Sequence, residues 1–304
     1  MRFPNCEDVL FTILAVKCIG LIKMKEVRLV GVPEHFNLPW HLCLENGEFN
    51  AVGIDVQWKD IPEGTGKMCQ MLRQNETDLA IILSEGIIKD IAADNPTSII
   101  QEYVASPLLW GIHVAADSPF QSVADLEHKR IAISRLGSGS HLMAIVHAKQ
   151  MNWNLDTLEF VVVDTLDKAV VALQNKEADY FMWERFMTQP LVDQHIFRRI
   201  GECPTPWPSF LLVGRRDFIQ QNRALVDNLL EVINATTAEF KFIPSINRTL
   251  AERYNQKVED INTWLSLTRW SQKQLSEANY KKIQKQLVDL QLIDTPKQYE
   301  EIKM

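Results

Sequence analysis

The stretch DSPFQSVADLEHKRIAISRLGSGSHLMAIVHAKQ, Asp117 to Gln150, carries the reading of the fold. A turn and a short helix lead through a charged turn into an apolar run, Ile131–Ile133. That run stops at a loop of Gly and Ser. Helical spacing then takes over, with Leu142, Ile145 and Val146 on one side and His147 and Lys149 on the other. A strand, a small polar loop and a helix in that order form one half of a βαβ unit.

The same alternation extends upstream. Strands are expected over 27–32, 54–58 and 79–83, followed by helices over 39–46, 66–74 and 85–93. Two further strands are expected over 97–104 and 110–115. Downstream, the spacing predicts a helix over 140–151, a strand over 160–163 and a helix over 166–174. A strand over 179–183, a helix over 184–194 and a short strand over 197–200 complete this series. Short strands separated by helices imply mostly parallel sheets, with the loops after the strands gathered on one edge.

Three prolines in five residues, Pro204, Pro206 and Pro208, forbid helix and stiffen the chain before a strand over 209–213. Beyond Arg215 the pattern is helical, over 223–243, 246–254, 258–265 and 276–290. No internal repeat or low-complexity tract stands out. The expected organisation is a first lobe of residues 24–112 and 206–304, with residues 113–205 inserted as a second lobe. The crossings are expected near Trp110–Val114 and Cys203–Ser209, with a cleft between the lobes.

Composition limits the function. The chain has 304 residues, 46% hydrophobic and 23% charged, enough for two globular domains. A net charge of −7 and no basic face argue against nucleic acid. Five scattered cysteines read as buried reduced thiols. Residues 1–23 contain the apolar VLFTILAVKCIGLI, interrupted by Lys17. They read as a disordered extension or a start-site artefact, with a degenerate export signal as the alternative. Met24 opens MKEVRLVGVPEHF like a natural start, which would imply a cytoplasmic protein.

The loop Ser138-Gly139-Ser140-His141 offers free N–H groups at a helix start, with two hydroxyls. A plain N-cap needs only one Ser, so a ligand site is the stronger reading. Leu142 stands where a dinucleotide fingerprint requires its third Gly, and no G-x-S-x-G occurs. Gly64-Thr65-Gly66-Lys67 has the look of a P-loop end, but Ile61 and Met68 break the pattern. It remains a second glycine-rich loop, and Ser84-Glu85 forms a third polar loop on the same edge. His35 and Phe36 follow the first strand, where they either contact a ligand or belong to loop and core. Trp110, Trp183 and Trp207 are read as pocket wall or core with equal weight. Trp183-Glu184 ends a strand facing the cleft. No catalytic triad, metal motif or paired carboxylates with a clear base emerge, and no cofactor is expected.

With these residues in place, the chain resembles the type 2 solute-binding proteins of ABC importers. The nearest branch includes sulfonate, taurine and nitrate binders and the thiamine-pyrimidine synthase-like proteins. The likeness rests on the loop Gly31–Pro39, on MLRQNETDLAI and ALQNKEADYFMWE, and on SPFQSVADLEHKRIAIS followed by the Gly/Ser loop. It implies an α/β fold of two lobes, each a mostly parallel sheet flanked by helices, with a helical C-terminal segment. It also implies a small polar or anionic organic ligand between the lobes, held by hinge closure. The matching positions are His35, Phe36, Gly64, Thr65, Gly66, Ser84, Glu85, Ser106, Ser138, Gly139, Ser140, His141, Trp183 and Glu184. Glu85 and Glu184 would disfavour a simple dianion and suit a neutral or zwitterionic ring. The likeness implies a monomer, a periplasmic location and an ABC permease as partner. The rival is a pyrimidine-synthase-like enzyme using His35 or Lys67. A third reading is an interaction module built on the amphipathic C-terminal helices.

Overall fold

The computed structural model describes residues 24–304, so the reading of residues 1–23 lies outside the described residues. Ten strands form two sheets. They are β1 (Lys25–Gly31), β2 (Ile54–Asp60), β3 (Leu79–Leu83), β4 (Thr97–Val104) and β5 (Leu109–Ala115), then β6 (Arg130–Ile133), β7 (Glu159–Val162), β8 (Tyr180–Glu184), β9 (Phe197–Pro204) and β10 (Phe210–Arg215). The first sheet has the order β2-β1-β3-β10-β4 and the second β7-β6-β8-β5-β9.

Both sheets are mixed, and by the same rule. In the first, β1 is parallel to β2 and β3, while β10 runs against β3 and β4. In the second, β6 is parallel to β7 and β8, while β5 runs against β8 and β9. Each reversed strand is the first one made after the chain arrives from the other sheet.

The two-lobe α/β architecture read from the sequence is therefore present. The first crossing is displaced from its expected place. Trp110 to Val114 belong to β5, and the chain passes between the sheets over 105–108. It returns over 205–209. The two passages hydrogen-bond to each other: Thr205 N donates to Leu108 O at 2.9 Å, and Leu108 N donates to Thr205 Oγ1 at 2.9 Å. Ser209 N reaches Val104 O at 3.0 Å. A paired crossing of this kind is a hinge-type connection between two lobes.

MLRQNETDLAI and ALQNKEADYFMWE, two of the stretches on which the resemblance rests, perform the same local task in the two lobes. Each ends a helix with a left-handed residue, Asn75 at φ 59° and Lys176 at φ 60°. Each then delivers an aspartate to the start of the first parallel strand. Asp78 accepts from Arg28 N at 3.0 Å and from Arg28 Nη2 at 2.7 Å. Asp179 accepts from Arg130 N at 2.8 Å and from Arg130 Nη2 at 3.0 Å. The Arg of β1 or β6 thus pins the incoming β3 or β8 in register by a fork of charge-assisted bonds.

Two other expectations need correction. The helix expected over 184–194 is only Gln189–Asp193. β8 continues to Glu184, whose Oε2 accepts from Met187 N at 2.7 Å and holds a turn, and Pro190 then starts the helix. The strand expected over 197–200 continues to Pro204, because β9 pairs with β5 along its whole length.

The C-terminal helices do not present a free apolar face of the kind an interaction module needs. Leu229, Ile233, Leu250, Trp264, Ile283 and Leu287 are buried in the main core. The buried polar residues of β4 find partners in this segment: Gln101 Nε2 donates to Asn234 Oδ1 at 2.8 Å and to Ser271 O at 2.9 Å. Cys43, Cys69 and Cys203 are free and buried, as read from the sequence.

Candidate ligand cleft

Parallel strands end together, so the loops after β1, β2 and β3 face those after β6 and β8. Between them lies a cavity of about 430 Å³. The first lobe contributes Val32, Pro33 and Glu34 after β1, Pro62 to Thr65 after β2, and Leu83 at the end of β3. Leu108 and Phe210 close the hinge side. The second lobe contributes Trp110, Ser134, Ser138 to Ser140, Thr165 to Asp167, Trp183, Glu184 and Met187.

The Gly/Ser loop is built mostly for itself. Ser138 caps the helix Gly139–Gln150, accepting from His141 N. Ser138 Oγ lies 3.1 Å from Ser140 Oγ, which accepts from Ser134 N at 2.9 Å. The two hydroxyls therefore knit the loop to the end of β6. The N–H groups of Gly139 and Ser140, which have no carbonyl one turn back, remain as donors. Gly139 has a separate reason to be glycine: a Cβ there would stand 2.8 Å from Leu83 Cδ1 and 3.0 Å from the Trp110 ring. Leu83 belongs to the first lobe, so this contact exists only with the lobes together.

A second contact spans the mouth. The Arg135 guanidinium donates to Glu63 O, and a Cβ on Gly66 would lie 3.1 Å from Arg135 Nε. Arg135 went unnoticed in the sequence because nothing in its spacing marks it as facing the other lobe.

The strongest electrostatic feature is a pair of carboxyls. Burial pushes Glu34, at the cavity wall, up to about 7. Glu184 is 3% exposed and is pushed well above the ordinary carboxylate range, first by burial and then by the charge of Glu34. Trp110 and Trp183 supply aromatic wall, their ring centroids 6.4 Å apart and nearly perpendicular.

The sequence-derived residues divide. Gly64, Thr65, Ser138, Gly139, Ser140, Trp183 and Glu184 meet at the cavity. Gly66 makes room for Arg135. His141 turns aside: its Nδ1 accepts from Gly137 N at 3.0 Å and its ring meets Phe160 edge-on. Ser84, Glu85 and Ser106 hold the crossings and are absent from the lining. Ser84 Oγ donates to Pro208 O at 2.6 Å, Glu85 Oε2 accepts from Trp207 Nε1 at 2.8 Å, and Ser106 O accepts from Ser209 Oγ at 2.9 Å. Trp207 is thus core and hinge, whereas Trp110 and Trp183 are wall. Phe36 is core, packed against Phe210 at 5.1 Å. His35 is fully buried and stacked on Trp264 at 4.2 Å; burial lowers it to about 3, so it is neutral at pH 7. From the sequence, Glu34 and Glu63 read only as members of their loops, and Leu83, Leu108, Ser134, Thr165, Leu166, Asp167, Met187 and Phe210 are not singled out as lining.

Residues 110–203 match a family model described as Ca3427-like PBP. No curated protein sequence matches the chain. Among solved structures, the Candida albicans CA3427 gene product, described as having the generic periplasmic binding protein fold, superposes with a TM-score of 0.82 at 24% identity, covering 92% of this chain and 94% of that one. The alkanesulfonate-binding protein SsuA of Xanthomonas axonopodis pv. citri, bound to MOPS, gives 0.78 at 14% identity, covering 92% and 98%. A mutant of the enzyme DszB with biphenyl-2-sulfinic acid gives 0.63 at 13% identity, covering 91% and 96%. These likenesses establish the fold as that of the type 2 periplasmic binding proteins, as the sequence resemblance implied. The lining described above is this chain's own.

Proposed function

We propose that the protein captures a small organic molecule between its lobes by hinge closure and does not transform it. The observation that carries this is the cavity itself. It is walled by both lobes at the ends of their parallel strands, and it is closed by contacts, Gly139 on Leu83 and Arg135 on Glu63 O, that require the lobes to be together. Ligand contacts made to both lobes at once shift the open–closed population toward closed.

The role that fits this geometry is the substrate-binding component of an ABC-type importer, with a membrane permease reading the closed form. In a cytoplasmic setting the same cleft would serve a sensor or carrier. The rival enzyme reading has the DszB likeness behind it, but its two participants are misplaced. His35 is sealed in an aromatic cluster, and Lys67 Nζ points to Gln70 at 3.3 Å and Glu76 at 3.8 Å, outside the lining.

The test uses the wall tryptophans as reporters. Titrating the protein with the small-molecule fraction of a metabolite extract should give a saturable change in tryptophan fluorescence. Gly139→Trp, which fills the point of lobe contact, should abolish it. An unchanged signal in the native protein would count against capture in this cleft.

A further inference from the structure

The charged side chains that line the cavity are Glu34, Glu63, Asp167 and Glu184, and no lysine or arginine is among them. The nearby cations lie outside the lining. Arg135 donates to the neutral Glu63 O at the mouth, and Arg185 and Arg199, behind Glu184, share the one carboxylate of Glu202 at 3.0 Å and 3.6 Å. Lys89 stands beside Gly137, outside the lining. Glu184 is 3% exposed, and its hydrogen bond comes from a neutral donor, Met187 N. A buried carboxylate normally sits against a cation; among the described residues none forms an ion pair with this one, and Arg185, paired with Glu202, acts on it only at longer range. Two tryptophans stand on the same wall, and aromatic faces attract cations as well as apolar rings. Thr65 and Trp110, 6% and 4% exposed, each carry a side-chain polar atom with no partner, Oγ1 and Nε1.

We infer that the cleft takes an organic cation, an apolar ring-sized body bearing a protonated nitrogen, whose charge is held between Glu34 and Glu184. The inference rests on the capture reading above and names its ligand class. A sulfonate in the same place would meet carboxylates with no side-chain cation to offset them. The N-terminus of the helix Gly139–Gln150 is an electropositive feature of the lining, as are those of the helices Thr65–Arg73 and Leu166–Gln174. It suits a hydroxyl or carbonyl acceptor at the far end of the ligand. The raised proton affinity of Glu34 and Glu184 fits a site that lacks its counter-charge until the ligand brings it.

The test holds the ring constant and varies the head group. Benzamidine, benzyl alcohol and benzenesulfonate are titrated calorimetrically into the full chain at pH 7.5. Benzamidine should bind at least roughly tenfold tighter than the other two. Glu184→Gln keeps an acceptor for Met187 N and should remove that preference, as should Glu34→Gln; circular dichroism checks that both variants are folded. Benzenesulfonate binding as tightly as benzamidine would overturn the inference, as would a cation preference untouched by both variants. Either result leaves capture in the cleft standing. If no probe binds, the small molecule released by denaturing protein purified from its own host decides: a cation supports the inference and an anion overturns it. A blank on both counts removes the capture reading as well.

Discussion

Glu85 shows how one side chain acquired a different task from the one its position suggested. Read from the sequence, it sits on a polar loop at the edge where ligands bind. In the structure it is fully buried and ties the start of its helix to Trp207 in the return crossing. Burial raises its carboxyl from 4.5 to about 7. The folded state therefore holds this proton more tightly than the unfolded chain. The associated stability is complete below pH 4.5 and is lost as pH rises toward 7. At about 1.4 kcal/mol per pH unit the contribution is about 3 kcal/mol. Glu85→Gln keeps an acceptor for the indole and cannot ionise. Denaturant unfolding of both proteins across pH 4 to 8 should show the native protein losing about 3 kcal/mol relative to the variant. Parallel profiles would show that Glu85 is not desolvated. Burial of this kind could not be seen in the sequence, where Ser84-Glu85 reads as a polar loop on the ligand edge in preference to a helix cap. His35 carries the same lesson, since the residues that seal it, Trp264 and Tyr254, lie more than two hundred positions away.

At the scale of elements the sequence was far more legible, because local chemistry governs there. β3, β4 and the helix Leu166–Gln174 lie where apolar runs and turn residues place them. The helix expected at 184–194 failed because its first five residues obey a strand pairing and a carboxylate-held turn, both tertiary effects. The Asp78–Arg28 and Asp179–Arg130 forks make their own prediction. Asp78→Ala or Asp179→Ala leaves a strand N–H without an acceptor and a guanidinium without its carboxylate, with only the carbonyl of Asn75 or Lys176 still accepting from it. Each should cost about 2 kcal/mol or more in chemical denaturation. A change below about 0.5 kcal/mol, the level of an ordinary surface substitution, would refute the pinning role. The Gly/Ser loop lines the cavity, and its serines bond within the loop, a use that the sequence did not show. Gly139 is the residue to test there. Gly139→Ala places a methyl against Leu83 and should hold the lobes apart. Small-angle scattering with ligand present should show a more open particle than the native protein, and affinity should fall by roughly tenfold. A particle that closes normally would show that Leu83 yields.

For the whole molecule, two lobes on a paired hinge need something to favour the closed state. The exposed interlobe contacts are weak candidates. Lys257 and Asp193 lie 2.7 Å apart, but the lysine side chain is 62% exposed. Such pairs contribute little, so Lys257→Ala should leave affinity within about twofold, and a larger loss would assign closure to this bridge. Under the proposed function, a ligand touching both walls at once adds to the Arg135 contact on Glu63 O in favouring closure. The central claim is tested most directly by native mass spectrometry of the protein purified from its own host, beside its denatured mass and beside Gly139→Trp. The account expects a small mass carried by the native protein, released on denaturation and absent from the variant. A bare native protein, or a small mass carried equally by Gly139→Trp, would contradict capture in this cleft.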